Sequence, residues 1–196
     1  MAVYVERKAS WLEWIAPEYF LNERLMRIVT FFVFHSPCPS LSSMGRTLEE
    51  YGWHNPWRKP FYLSKQLKRA ATNFDLLYSA STLDSLEDAL KKANLSEGFS
   101  TADLSKECIC FYDSNKNQFM SVFNHLRNAF AHCRLNMVEV DNECVFLLED
   151  VCPKKQESSL KLSARMVLRE STLLKWINII EAGEKEYIRT EETNHT

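Results

Sequence analysis

The hydrophobic period of this chain changes at His132, and that change limits what the chain can fold into. Before it, Phe119, Val122, Phe123, Leu126 and Phe130 recur at i, i+3, i+4, i+7 and i+11, the spacing of an amphipathic helix. At about 100° per residue these five fall in one arc of roughly 100°. Beyond it, Leu135, Met137, Val138 and Val140, then Asp141-Asn142-Glu143, then Cys144 to Leu148 read as two strands joined by a turn. Leu160, Leu162, Ala164, Met166 and Leu168 alternate with a period of two, which predicts a third strand. Glu170-Ser171-Thr172 then opens a last helix with Leu173, Ile177 and Ile180 on one face.

The part of the chain before this segment reads as helical. A first helix over about 5–35 breaks near Pro17: Trp11, Leu12, Trp14 and Ile15 form a short piece, and Phe20, Leu25, Ile28, Val29, Phe32 and Val33 make the rest apolar around most of its circumference. Ser36-Pro37-Cys38-Pro39-Ser40 ends it. Leu63, Leu67, Ala70, Phe74 and Leu77, continued by Leu83, Leu86, Leu90 and Ala93, predict a helix over about 62–95, with Ser81 or Thr82 as an internal cap. Ser100 caps a short helix or turn, and Asp113 or Ser114 caps the segment of about 115–132. The strands fall at about 135–140, 144–150 and 160–168 and the last helix at about 172–188. With only 4 glycines in 196 residues, the expected fold is mainly α: one domain over residues 1–190, a helical bundle with a small antiparallel sheet inserted after His132. Residues 191–196 read as a frayed polar tail.

Composition excludes several classes of function. A hydrophobic fraction of 45% is that of a globular chain, and a net charge of -2 gives no global signature of nucleic-acid binding. The charged N-terminus leads into no apolar signal region, and the Ile28–Phe34 run is too short to span a bilayer. The expectation is a soluble, cytoplasmic protein whose six cysteines are reduced. Cys108-x-Cys110 has the wrong spacing for a zinc site, so neither metal nor cofactor is expected. So few glycines leave no Gly-rich phosphate loop.

The chemistry lies on the helix that ends at His132. Measured from Phe119, Arg127 lies about 80° round the helix, Asn128 about 180° and His132 about 220°. Asn128 and His132 form an i, i+4 pair on the face opposite the apolar arc, with Arg127 at its margin. Arginine suits a phosphate, being always charged and able to donate two parallel hydrogen bonds. Histidine suits proton transfer near neutral pH, and a place near a helix C-terminus suits an acid role. Asn128 can orient either His132 or a phosphate oxygen. His125, two turns before His132, reads as a dimer-surface residue.

Arg127-Asn128-Ala129-Phe130-Ala131-His132 reads R-N-x-x-x-H and resembles the motif of the HEPN superfamily (higher eukaryotes and prokaryotes nucleotide-binding), whose domains are helical bundles. The resemblance is specific for residues 115–136 and implies a metal-independent endoribonuclease with Arg127, Asn128 and His132 as catalytic residues. It implies attack of the RNA 2′-OH on the adjacent phosphate, 2′,3′-cyclic phosphate and 5′-hydroxyl products, and a homodimer whose two motifs line one cleft. A toxin or antiviral defence effector, with a possible antitoxin or regulator, fits that family. Some toxin members carry a Tyr two residues after the His, where adenylate is attached; Arg134 stands there in this chain, and it either adds charge to the cleft or is a solvated residue at a strand start. The other readings are a catalytically silent module that binds RNA, nucleotide or protein, and a scaffold that uses the same residues for dimerisation.

A second stretch bears on RNA. Residues 51–74 hold Arg58, Lys59, Lys65, Lys68 and Arg69 with no acid but Asp75 beyond them, interleaved with Tyr51, Trp53, Trp57, Phe61 and Tyr62. Cations beside rings suit a single strand, whose bases stack while its phosphates are neutralised. The blander reading packs the aromatics in the core and leaves the cations as a solvated helix face, and for the aromatics it is preferred.

Overall fold

Six strands, where the sequence period announces three, form one mixed sheet in the computed structural model. It describes residues 2–12, 22–38, 44–59, 62–71, 77–113, 117–152 and 159–193, with side chains through residue 185. β1 (Tyr4–Glu6), β2 (Leu77–Ala80) and β3 (Cys108–Tyr112) join β4 (Leu135–Val140), β5 (Glu143–Cys152) and β6 (Ser159–Arg169). The order is β2-β3-β6-β5-β4, with β1 antiparallel to the start of β6, Tyr4 opposite Lys161. β2 and β3 run parallel, Leu77 opposite Ile109. A parallel pair needs a crossover, and α3 (Leu86–Lys92) provides it.

The expected mainly α bundle is thus corrected to a mixed α/β fold. In place of one helix over 5–35, β1 comes first, and the first helix among the described residues is α1 (Glu23–Thr30), which continues as a π-helical turn over Phe31–His35. The expected helix over 62–95 divides into α2 (Leu63–Ala70), β2 and α3. Leu63 and Leu67 keep a buried helical face, but Ala71 is extended at φ -79, ψ 156. From Leu77 the backbone pairs with β3 instead of with itself, so tertiary pairing overrides the helical spacing. β3 carried no period to read, because Ile109 and Phe111 enter one core cluster and Cys110 the other. Trp14, Ile15, Phe20, Phe61, Phe74, Ser114 and the tail from Asn194 lie outside the described residues. The backbone of 191–193 continues the last helix.

The sheet has a helix layer on each face. Ile109, Phe111, Phe146, Leu148, Ala164, Met166 and Leu168 face α1, α2, α4 (Gln118–Ala131) and α5 (Glu170–Thr193). Cys110, Val145, Leu147, Leu162 and Val167 face α3 with Leu95 and Phe99. Two wholly buried tryptophans tie the larger layer together. Trp176 Nε1 donates to Leu67 O at 2.7 Å and Trp53 Nε1 to Ile180 O at 3.0 Å. Among the described residues no helix is long and apolar enough to cross a membrane.

Candidate functional site

α4 carries the motif, and more of it is buried than the apolar arc foretells. Asn117 caps it, its Oδ1 accepting from Phe119 N at 3.0 Å and Met120 N at 3.3 Å. The sequence reading places the cap at Asp113 or Ser114; Asp113 instead accepts from the Ser121 hydroxyl at 2.7 Å. Ser121, His125 and Ala129 are buried alongside the five apolar residues. Counted from Phe119 they lie at about 200°, 240° and 280°, so the second buried side of α4 rests on the sheet. His125 is therefore corrected from a surface residue to a core residue, 5% exposed. Asn128 sits at the margin of that side and is partly buried. His132, on the same row but at the helix end, is exposed.

A chain of hydrogen bonds runs from the sheet to the motif. His125 Nε2 lies 2.8 Å from Tyr112 O on β3, and its Nδ1 lies 2.7 Å from Asp150 Oδ2 on β5. Asn128 Nδ2 donates to the same Asp150 oxygen at 3.3 Å, and Arg127 Nη1 donates to Asn128 Oδ1 at 3.2 Å. Arg127 Nε and Asp150 Oδ1 are buried without a hydrogen-bond partner. Arg127 also faces the turn after α1: burial pushes the Cys38 thiol up to about 11, and the Ser36 hydrogen bond and the Arg127 charge pull against that rise. Asp150 is the residue that the sequence reading missed. Its signal was there, since Glu149-Asp150 interrupts an otherwise apolar strand, and acids in such a strand are buried only when partnered.

The end of α4 fixes the place of His132. Its backbone N–H bonds Asn128 O at 2.9 Å, Cys133 N bonds Phe130 O at 3.2 Å and Arg134 N bonds Ala129 O at 2.9 Å. Cys133 is left-handed at φ 52. This is a Schellman ending with a cysteine where glycine is usual. It ends the helix one residue after Ala131 and leaves the His132 side chain in solvent.

The other candidate residues go elsewhere. Arg134 does not face a cleft: it is 5% exposed, paired with buried Glu149, and donates to Arg7 O at 3.0 Å and Glu6 O at 3.2 Å. It is tied to the backbone of Glu6 and Arg7, because its neighbour strand β5 brings an acid to it. Arg58, Lys59, Lys65 and Arg69 are exposed and Lys68 partly so. Trp53 and Trp57 belong to the core, so the rings of this stretch mainly pack and its cations are the solvated part. These cations are not gathered at the motif. α2 meets Trp176, which touches Phe119 and Phe123 in the first half of α4. From there to His132 is 9 to 13 residues, about 14–20 Å of helix.

Among the described residues no group of three or more His, Cys, Asp or Glu could hold a metal ion. Of two surface clefts of about 400 Å³, one is lined by His35, Arg46, Glu50, Tyr51 and Glu181 and the other runs along β2 and α3; no motif residue lines either. No family model, no curated protein and no solved structure matches this chain. Any functional reading therefore rests on the site itself.

Proposed function

We propose that this protein is a metal-independent endoribonuclease that cuts single-stranded RNA at the C-terminal end of α4. The observation that carries the reading is the state of Arg127. Asn128 holds its Nη1, its buried Nε has no hydrogen-bond partner, and no carboxylate pairs with it among the described residues. A guanidinium that is oriented and not neutralised, five residues before an exposed histidine, suits a phosphate with a proton-transfer group beside it. The local likeness to the HEPN motif supports the same chemistry without a shared bundle architecture.

In this reading the RNA 2′-oxygen attacks the adjacent phosphorus, the 2′ proton leaves to a base, and the departing 5′-oxygen takes a proton from an acid. Arg127 stabilises the charge that builds on the phosphorane. His125 is too buried to reach RNA, so one protomer offers one histidine where the reaction uses a base and an acid. A two-fold dimer supplies both as two copies of His132. The cations Arg58, Lys59, Lys65, Lys68 and Arg69, all exposed but the partly covered Lys68, hold the strand at a distance from the cut. An effector role as a toxin or in antiviral defence, under a regulator, is compatible with such an activity.

The test is incubation of the protein and a His132→Ala variant with end-labelled single-stranded RNA in EDTA. Fragments ending in cyclic phosphate, lost in the variant, are expected. Equal cleavage by both proteins, or none by either, would sink the reading. A second reading, RNA binding without cleavage, draws on one observation: the five cations near α2 form no ion pair among the described residues and lie away from His132. In that case filter binding persists where cleavage is absent.

A further inference from the structure

His125 and Asp150 lie one layer behind the motif, and their proton count bears on Arg127. Tyr112 O can only accept, so the His125 Nε2 that meets it at 2.8 Å carries a hydrogen. Nδ1 and Asp150 Oδ2 are 2.7 Å apart. A bare lone pair facing a carboxylate at that distance would repel it, so a second proton lies between the two. Whether it resides on nitrogen or on oxygen, the pair has no net charge. Because the shared Asp150 oxygen takes a hydrogen bond from Asn128 Nδ2, the amide can turn only its oxygen toward Arg127. Without the imidazole, Asp150 would be an uncompensated anion two hydrogen bonds from the guanidinium.

We propose that Asp150 and His125 are positioning residues of this site. They set the Asn128 amide, through it they orient Arg127, and because they cancel each other's charge they leave the Arg127 charge available to a phosphate. The inference rests on the nuclease reading for its kinetic readout and on the hydrogen-bond geometry for the rest. A merely structural tie between α4, β3 and β5 would act on the fold and not through Arg127.

The test is a double-mutant cycle in metal-free cleavage of a labelled RNA, using wild type, Asp150→Leu, Arg127→Ala and the double variant. Asp150→Leu is expected to lower kcat by about 10²-fold, the scale of a misplaced catalytic group, with KM changed less than about threefold. In the Arg127→Ala background the same substitution should change kcat by less than about threefold. An equal loss from Asp150→Leu with and without Arg127 overturns the proposal. If Asp150→Leu does not melt cooperatively, His125→Asn replaces it in the cycle. The uncovered carboxylate should then lower the salt slope of RNA binding by about 0.7, one phosphate contact on a single strand, and an unchanged slope overturns the proposal. Side-chain NMR separates the two readings. Shifts of the Arg127 Nε–H and Asn128 Nδ2–H resonances in the Asp150 and His125 variants, in a protein that cuts no RNA, uphold the positioning and remove the nuclease. Unmoved resonances in an active nuclease do the reverse.

Discussion

Gly183 and Tyr51 meet backbone to backbone: a Cβ built on Gly183 would lie 2.5 Å from the Tyr51 carbonyl oxygen. Gly183 also breaks α5 at φ 69, ψ 175, a region that only glycine occupies comfortably. Gly183→Ala therefore brings both strain and overlap and is expected to destabilise the protein by about 3 kcal/mol. Gly52, opposite it at φ 86, has only the Gly183 Cα within 4 Å of its Cβ position, at 3.9 Å. Gly52→Ala should thus cost only about 1–2 kcal/mol. Chemical denaturation of the two variants checks the ranking, which fails if Gly52→Ala is the weaker protein.

Cys133 sits in the left-handed position that ends α4. A non-glycine residue there is disfavoured by about 1 kcal/mol. Cys133 is exposed, so replacing it removes no core packing. Cys133→Gly is expected to raise stability by about 0.5–1 kcal/mol, read as a higher denaturant midpoint at an unchanged slope. A lower midpoint would show that the Schellman geometry does not govern this helix end.

Alkaline pH should weaken the fold through its thiols. Burial pushes Cys108 up to about 12 and Cys144 up to about 11, and Cys38 likewise to about 11. Cys110, also buried, moves in the same direction. Burial raises the Tyr51 phenol to about 12. Between the unfolded and folded values the native state keeps protons that the unfolded chain has released. The stabilisation is therefore full below the ordinary thiol value and is lost as pH rises beyond it toward the folded values. Melting temperature should hold between about pH 7 and 8.5 and fall steeply by about pH 10.5. Replacing Cys108 and Cys110 by Ala should flatten that fall, and an alkaline limb as steep as wild type would assign it to other groups.

Where apolar residues recur at one clear spacing, this chain was legible. The alternation of Leu160 to Leu168 marks the strand that became β6, although a register shift opposite Leu162 and Ala164 moves it from one face of the sheet to the other, and the Phe119 to Phe130 spacing marks α4. Where they do not, the chain was opaque. Cys108–Tyr112 is apolar toward both faces, so strand and buried helix look alike. Leu63 to Leu90 keeps a helical spacing across a segment whose middle pairs with β3, because pairing partners are distant in sequence. The motif residues could be named from their order along one helix. Asp150 could not be tied to them, because its link to Asn128 and His125 exists only once β5 lies under α4. The roles assigned to Arg134 and His125 failed for the same reason: each is met by an acid from β5.

Glu149 binds two buried guanidiniums on the α3 face of the sheet. Arg134 pairs with its Oε1, and Arg165 Nη2 lies 2.8 Å from its Oε2. Glu149 itself is 0% exposed. Each arginine also donates to backbone: Arg134 to Glu6 O and Arg7 O, Arg165 Nη1 to Leu95 O at 2.5 Å. Glu149→Gln removes the charge that compensates both cations and is expected to cost about 3–5 kcal/mol. Arg134→Met has a second, local effect: with β1 held by only three residue pairs to β6, trypsin should cut after Arg7 faster than the change in global stability accounts for. Replacing all three groups together (Glu149→Leu, Arg134→Met, Arg165→Met) should recover part of the Glu149→Gln loss, because no buried charge is then left uncompensated. Thermal melts and timed proteolysis of the set decide between a network that specifies where the loops dock and one that merely fills space; a Glu149→Gln protein that melts with wild type would rule out the former.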